Sequence, residues 1–400
     1  MRVVIAGNGL AGTMAAKTLR ELDAGVEIVV LAAEAHPYYP RPNLIDYLAG
    51  RLPLDRVFAF PPGWTEKNRI DVRLGRAVET IRPASREVLT ADGGREPYDA
   101  LLLALGSVAA LPPIPGAEKR GVFTLKTLDD AQAILDDLKG RSRVAVIGGG
   151  VLGLEIARAL TLRGAAVTVV EVFNRLLPRQ LDGAGASVLR EQIERLGIAV
   201  RLQAETGAIL GGDEASGLRL KGGEEIAADM IVAAVGVRPN LEIARTAGLA
   251  VERGLVVDDD LATSRPGIFA AGDVVQHRGR VYGIIPAAFD QARAAAHNIL
   301  GQTKPYQGSV VSNTLKVAGL YVTSIGEAQP EAPGYIEFRR EDRDTGIYKK
   351  VVLKDGVLVG AVWMGTKAGV TEISRAVASG TKVGARGESL LDDAFDFTLL

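Results

Sequence analysis

The fold of this chain is decided by a stretch near its start, which reads Val3-Val4-Ile5-Ala6-Gly7-Asn8-Gly9-Leu10-Ala11-Gly12. A short apolar strand runs into a Gly-x-Gly-x-x-Gly turn, and a helical pattern follows up to Leu22. In this context the first glycine allows a tight turn, the second lets a diphosphate approach the backbone, and the third lets helix and strand pack closely. The stretch therefore predicts a dinucleotide-binding turn whose contacts are Gly7, Gly9 and Gly12.

The same pattern returns after a constant interval, as Val144-Ala145-Val146-Ile147-Gly148-Gly149-Gly150-Val151-Leu152-Gly153. Both copies predict a helix, a closing glycine and a β-branched strand. These elements are the helices Leu10–Leu22 and Leu152–Leu162 and the strands Val26–Leu31 and Ala166–Val170. Two unrelated turns would not share this spacing, so we expect a second dinucleotide site at Gly148, Gly150 and Gly153.

A second duplication follows each copy and places two further glycines. A glycine-rich hairpin turn precedes an apolar strand, which ends at Gly106 in the first copy and at Gly236 in the second. The turns are residues 92–94 and 221–223, and the strands are Leu101–Leu105 and Met230–Val235. Prolines come soon after both strands, which indicates points where the chain passes between domains.

An acidic residue distinguishes the two predicted sites. Glu171 directly follows the strand of the second copy, where a carboxylate can accept a hydrogen bond from a ribose 2′-hydroxyl. The first copy has Ala32 at that position, and its nearest acid is Glu34. Glu34 either makes the ribose contact from a longer loop or is an exposed loop acid, and the sequence leaves both interpretations open.

Two later segments complete the pattern. An apolar strand over Ile268–Ala271 ends in Gly272-Asp273, so Asp273 either meets a ligand's hydroxyl groups or caps a turn. Strands are predicted over Tyr348–Leu353 and Val357–Val362, and a helix over Thr371–Ala378. This last part lacks a glycine-rich loop of that kind and predicts a C-terminal α+β domain.

Composition excludes several classes of function. The 400 residues have a net charge of −1, which gives no basic field for nucleic acid. They contain no cysteine and only three histidines, without metal-ligand spacing, so we expect no thiol redox centre and no metal site. The longest uncharged runs are interrupted by glycine or proline. We therefore expect no membrane segment and a cytoplasmic protein.

Taken together, the motifs resemble those of the FAD-dependent pyridine nucleotide oxidoreductases with a glutathione-reductase-like fold. The shared motifs are the two glycine turns, Tyr98-Asp99-Ala100, residues 236–240, Thr263-Ser264 and Ala271-Gly272-Asp273. Residues 38–42, 47–50 and 315–317 are most similar to NADH:rubredoxin reductases and to the flavin part of nitrite reductases. Asp46 stands where the ferredoxin-reductase branch has a lysine, and Leu105 replaces a usual threonine.

The resemblance implies roles for the remaining candidate residues around FAD. The first turn would hold FAD, and Asp273 would bind its ribityl chain. Arg41 and Pro42 would border the isoalloxazine ring. A helix from about Ala287 would direct its positive N-terminal end towards the flavin. Lys316 would lie near the flavin, and the alternative is that it is an exposed strand lysine.

The second turn would bind NADH, with Glu171 at the ribose. Glu155 would contact the nicotinamide end, or it would be an acid in the first turn of its helix that interacts with the helix dipole. The sequence leaves both interpretations of Glu155 open.

These inferences combine into an α/β protein with two Rossmann-like dinucleotide-binding domains and a C-terminal α+β domain. The expected boundaries are 1–112 and 238–306 for the FAD domain, 113–237 for the NADH domain and 307–400 for an interface domain. Hydride would pass from NADH to FAD, and electrons would then pass to a rubredoxin- or ferredoxin-type protein or to a small-molecule acceptor. The alternatives are an NADH oxidase that makes hydrogen peroxide and an NADH-responsive signalling protein.

Overall fold

The computed structural model describes residues 1–309, 312–317, 319–330 and 332–400, with side chains described for all of these except 312–316 and 385. These residues form two compact units. The first comprises residues 1–47, 52–108 and the described part of 237–310. The second comprises 48–51, 109–236 and the described part of 311–400.

The described helices and strands are numbered in chain order. The α-helices are α1 (Leu10–Leu22), α2 (Asn43–Leu48), α3 (Trp64–Lys67), α4 (Leu128–Leu138), α5 (Val151–Leu162), α6 (Gly183–Arg195), α7 (Glu242–Thr246), α8 (Ile285–Ile299) and α9 (Val370–Ser379). The strands up to residue 201 are β1 (Arg2–Ala6), β2 (Glu27–Leu31), β3 (Ile70–Arg73), β4 (Val78–Arg82), β5 (Glu87–Thr90), β6 (Arg95–Pro97), β7 (Ala100–Leu103), β8 (Ser107–Ala109), β9 (Val122–Thr124), β10 (Arg143–Ile147), β11 (Ala166–Val170) and β12 (Ala199–Arg201). The later strands are β13 (Thr206–Leu210), β14 (Gly217–Leu220), β15 (Glu225–Ala227), β16 (Met230–Ala233), β17 (Val237–Pro239), β18 (Leu255–Val257), β19 (Ile268–Ala270), β20 (Val275–His277), β21 (Ser312–Val317), β22 (Leu320–Gly326), β23 (Tyr335–Asp342), β24 (Ile347–Lys354) and β25 (Val357–Met364).

The first unit is built on a parallel sheet with the strand order β19-β7-β1-β2-β3. Its central strands are uninterrupted apolar runs, as expected for a parallel sheet that is covered on both faces. Residues 3–6 of β1 and 101–103 of β7 are almost completely buried. Helix α1 packs against β1, β2 and α8, which places the first glycine turn at the carboxyl edge of the sheet.

The second unit repeats this design in a parallel sheet with the order β12-β11-β10-β16-β9. Strands β1 and β10 occupy the same place in their sheets, between the strand that follows the glycine turn and the strand after the hairpin. The predicted hairpin turns join β5 to β6 and β14 to β15. The sequence duplication is therefore a structural duplication, and the predicted α/β fold is confirmed.

Five strands among the described residues from 312 onwards form an antiparallel sheet with the order β21-β22-β25-β24-β23. Helix α9 packs on β22 and β25, and the buried Trp363 lies in the core between sheet and helix. This matches the predicted α+β arrangement. These residues cluster with 109–236 in the second unit, and the chain passes between units at 108/109 and 236/237. The division into three domains stays a prediction.

Among the described residues, no helix is both long enough and apolar enough to cross a lipid bilayer.

The buried strand β7 generates a stability prediction. Leu102 is completely buried between β1 and β19, so Leu102→Ala should lower the free energy of unfolding by about 2–5 kcal/mol through the cavity that it leaves. The control is Leu54→Ala in the same unit, because Leu54 is 47% exposed and its truncation should change stability by no more than about 0.5 kcal/mol. Differential scanning calorimetry of both variants measures the difference. Equal losses would contradict the described core.

Candidate cofactor-binding sites

The first glycine turn is shaped by two contacts that exclude any side chain. Gly7 has φ +115°, and its amide donates to the Leu31 carbonyl at 2.8 Å. A Cβ on Gly7 would overlap the carbonyl oxygen of Ala104, and a Cβ on Gly12 would overlap that of Gly7. A Cβ on Gly9 would meet no heavy atom within 4 Å. The outer glycines therefore serve packing, and the backbone at Gly9 is open to a ligand.

The second turn has the same geometry. Gly148 also has φ +115°, and its amide donates to the Val170 carbonyl at 2.8 Å. A Cβ on Gly148 would lie 2.5 Å from the Ala234 oxygen, and one on Gly153 would overlap the Gly148 oxygen. Gly150 again has open space beside it. Both turns fit the close approach of a dinucleotide's diphosphate, and in both helices the first residue is preceded by a glycine without a capping side chain.

Glu171 lies directly against the second turn. Its side chain is 95% buried, and its two carboxylate oxygens accept hydrogen bonds from the amides of Gly149 at 2.6 Å and Phe173 at 2.9 Å. Each carboxylate oxygen has two lone pairs, so acceptor capacity remains for a hydroxyl group. The ring of Phe173 is 57% exposed next to it. The position is therefore suited to a ribose with an adjoining flat base.

Glu34 has a different environment. Its carboxylate is paired with the guanidinium of Arg41, in one contact at 3.2 Å and in another with Arg41 Nη2, and it also accepts from the Tyr39 hydroxyl. Arg41 lies over the Tyr39 ring, 4.7 Å from its centroid. Pro42 follows as an exposed residue immediately before α2. Glu34 is thus charge-neutralised, and the ribose contact stays a prediction.

Asp273 lies at the carboxyl end of β19, where it accepts a hydrogen bond from the Ser107 hydroxyl at 2.8 Å. The preceding Gly272 has φ +90°, and its amide donates to the side-chain oxygen of the buried Gln291 at 2.8 Å. Ser107 directly follows Gly106, which has φ +64°. Sequence reasoning assigned no role to Ser107 or Gln291. Gln291 is a polar residue inside the alanine-rich stretch of α8, and this signal could have identified it.

Close packing also brings Asp273 to the first glycine turn. A Cβ on Gly272 would lie 2.9 Å from the side chain of Ala11 in α1. Ala287 lies in the first turn of α8, where it is buried, and Ile284 at the start of that helix provides no capping side chain. The predicted FAD contacts of the turn and Asp273 are therefore neighbours in one unit.

The remaining candidate residues, Gly236, Glu155 and Lys316, lie in different parts of the chain. Gly236 has φ +114° just after β16. Glu155 is half-buried in α5, which begins at Val151 and has no acid in its first turn. The alternative interpretation of Glu155 as a first-turn acid is therefore wrong, because the effect of the helix dipole falls off within one turn. Lys316 lies in β21, but its side chain is outside the described part of the chain.

No group of three or more carboxylate or imidazole side chains among the described residues is arranged to hold a metal ion.

The two kinds of glycine give a matched pair of substitutions. Gly12→Ala should destabilise the first unit, by about 1–3 kcal/mol, because its Cβ overlaps the Gly7 carbonyl. Gly9→Ala should leave the unfolding temperature unchanged, since Gly9 has φ −78° and open space, but it should lower the flavin content of the purified protein. Calorimetry and the absorbance ratio of flavin to protein measure the two effects. Full flavin content in Gly9→Ala would refute the assignment of this turn.

Comparison with known proteins agrees with this geometry. A family model described as pyridine nucleotide-disulphide oxidoreductase matches residues 1–294, and one described as rubredoxin NAD+ reductase C-terminal domain matches residues 312–381. The chain is 37% identical over 366 residues to a nitrite reductase (NAD(P)H) of Bacillus subtilis, covering 91% of this chain and 45% of that protein. It is 30% identical over 370 residues to the NADH-rubredoxin oxidoreductase of Clostridium acetobutylicum, covering 92% and 93%.

The crystal structure of a ferredoxin reductase from Rhodopseudomonas palustris superimposes with a TM-score of 0.88 at 27% identity, covering 100% of this chain and 99% of that one. The chain spans less than half the length of the nitrite reductases that it matches. The predicted resemblance to the pyridine nucleotide oxidoreductases is confirmed at the level of the family. With the family model covering most of the chain and both glycine turns in place, the chain belongs to the pyridine nucleotide-disulphide oxidoreductase family.

Proposed function

We propose that this protein transfers electrons from NADH, through FAD, to a small electron-carrier protein of the rubredoxin or ferredoxin type. The observation that carries the proposal is the pair of glycine turns with different acids: Glu171 is buried against the second turn, and Glu34 is neutralised by Arg41 near the first. The second turn suits a nucleotide with a free 2′-hydroxyl, which Glu171 can bind. The first turn suits a ligand that has two phosphates and does not need a carboxylate at its ribose.

FAD, when bound, accepts a hydride from a nicotinamide and passes electrons on one at a time. The chain's own residues would hold it. The amides at the start of α1 would bind its diphosphate, and the Asp273 carboxylate, oriented by Ser107, would accept hydrogen bonds from the hydroxyl groups of its ribityl chain. The amides at the start of α5 would bind the diphosphate of NADH in the same way, with Glu171 at its ribose.

The proposed acceptor rests on the relatives. The NADH-rubredoxin oxidoreductase aligns along nearly its whole length, and the C-terminal part matches a domain named for rubredoxin reductases. The 37% identity to a nitrite reductase favours a second candidate, in which the same two sites deliver electrons for nitrite reduction. In either case the electrons reside on the flavin, because these 400 residues contain no cysteine. We further propose a cytoplasmic location, where NADH serves as the reductant.

Glu171 generates the prediction for nucleotide preference. A 2′-phosphate near its carboxylate is repelled by about 4 kcal/mol per unit charge at about 4 Å and an effective dielectric constant of about 20, before screening. Even a quarter of this repulsion would lower the affinity for the phosphorylated nucleotide several-fold. We expect the wild type to favour NADH in kcat/KM, and Glu171→Gln to reduce the NADH:NADPH ratio at least about fivefold. Glu205→Gln, an exposed acid paired with Lys221 in the same unit, serves as the control. A wild type that favours NADPH would overturn the assignment.

Electron flow is tested by anaerobic titration. Dithionite should deliver two electrons per chain, all to the flavin, and NADH should bleach the same absorbance. Addition of oxidised rubredoxin or ferredoxin should then restore it with steady turnover. Uptake of four electrons would reveal a second redox centre. Turnover with oxygen alone, yielding hydrogen peroxide, would instead identify an oxidase, and bleaching without turnover by any acceptor would identify a signalling protein.

A further inference from the structure

The segment between Glu171 and α6 forms a loop that we call the nucleotide loop, residues 172–181. Its backbone is tied to the second glycine turn, because the amide of Leu177 donates to the Gly149 carbonyl at 3.1 Å. Leu177 itself has φ +47°, a left-handed conformation that is costly for a branched side chain. Such a conformation persists only where surrounding contacts hold it.

Arg175 supplies part of that support, and its guanidinium is occupied in doing so. It donates to the carbonyl of Leu181 at 3.1 Å and to that of Pro178 at 3.3 Å. It also donates to the side-chain oxygen of Gln329, which follows β22, at 3.3 Å. Arg175 is the basic residue closest in sequence to Glu171, and its guanidinium contacts its own loop and Gln329.

The far end of the loop is anchored to the same sheet. Asp182 caps α6 by accepting from the Gly185 amide at 3.0 Å, and it also binds the Tyr348 hydroxyl at 2.7 Å and the Lys350 ammonium at 2.9 Å. Tyr348 and Lys350 are almost completely buried in β24. Burial alone would raise the pKa of Asp182, but the Gly185 amide, the Lys350 ammonium and the Tyr348 hydroxyl outweigh it, so the pKa is lowered.

We propose that this C-terminal sheet helps to set the nucleotide preference, because Gln329, Tyr348 and Lys350 hold the nucleotide loop in the conformation that keeps Arg175 away from a 2′-phosphate. Gln329 and Tyr348 are positioning residues that act through Arg175 and Asp182. The inference rests on the proposed preference for NADH and adds a second determinant beside Glu171. Releasing the loop would let Arg175 turn towards the ribose and bind a phosphate there.

The test compares the binding of adenosine 2′,5′-bisphosphate with that of 5′-AMP by calorimetry on the purified FAD-loaded enzyme, which measures the nucleotide site without catalysis. Gln329→Ala should improve the ratio in favour of the bisphosphate about tenfold. Tyr348→Phe, which removes only the hydroxyl and keeps the packing, should shift the ratio in the same direction. In steady-state kinetics the gain should appear as a lower KM for NADPH with kcat unchanged.

Two double variants identify the cation. Adding Arg175→Leu to Gln329→Ala should abolish the gain, whereas adding Arg179→Leu, an exposed arginine of the same loop, should preserve it. An unchanged ratio in Gln329→Ala, or a gain that survives the loss of Arg175, would overturn the inference and leave the proposed function intact. A wild type that already binds the bisphosphate more tightly than 5′-AMP would instead contradict the nucleotide preference in the proposed function.

Discussion

Close packing between a glycine turn and the helix that follows it is the contact on which both cofactor sites depend. The missing side chains of Gly12 and Gly153 let α1 and α5 sit directly on the carbonyl groups of Gly7 and Gly148. The helix N-termini are thereby brought to the carboxyl edges of their sheets without any capping side chain. Their first amides have no intrahelical partner, so a phosphate group satisfies them better than water or an inserted residue would. The same geometry therefore serves both packing and binding.

The two copies of this framework diverge in electrostatics. In the second unit the carboxylate of Glu171 accepts hydrogen bonds from two backbone amides, which fix it beside the turn. In the first unit Ala32 takes that position, and Glu34 is neutralised by Arg41. A carboxylate paired with a guanidinium repels a diphosphate less than an unpaired one, and a carboxylate held by neutral amides discriminates more strongly against an additional phosphate. One fold thus yields two sites with different preferences through one residue position and its nearest partner.

The elements were predictable because their signals are local. Helix α1 and strand β11 have the predicted bounds, since apolar runs and flanking glycines define them within a few residues. Helix α5 begins at Val151 rather than Leu152, and that single residue was enough to move Glu155 beyond the first turn. The pairing of Ser107 with Asp273 joins residues 166 positions apart, and that of Arg175 with Gln329 joins residues 154 apart. Such pairs depend on how sheets and loops fold back, which periodicity does not encode.

The two buried lysines of β24 contribute geometry more than stability. Lys349 and Lys350 are consecutive buried residues of β24, and successive side chains on a strand point to opposite faces. Lys349 binds the Leu391 carbonyl and Asp393, while Lys350 binds Asp182 and Glu337. Burying an ammonium group costs about as much as its ion pairs return, so these contacts add little net free energy of folding. These ion pairs restrict the positions of their partners, because a displaced partner would leave a buried charge unpaired. Through Lys350 and Tyr348, strand β24 contacts Asp182 and so fixes the start of α6 and the end of the nucleotide loop.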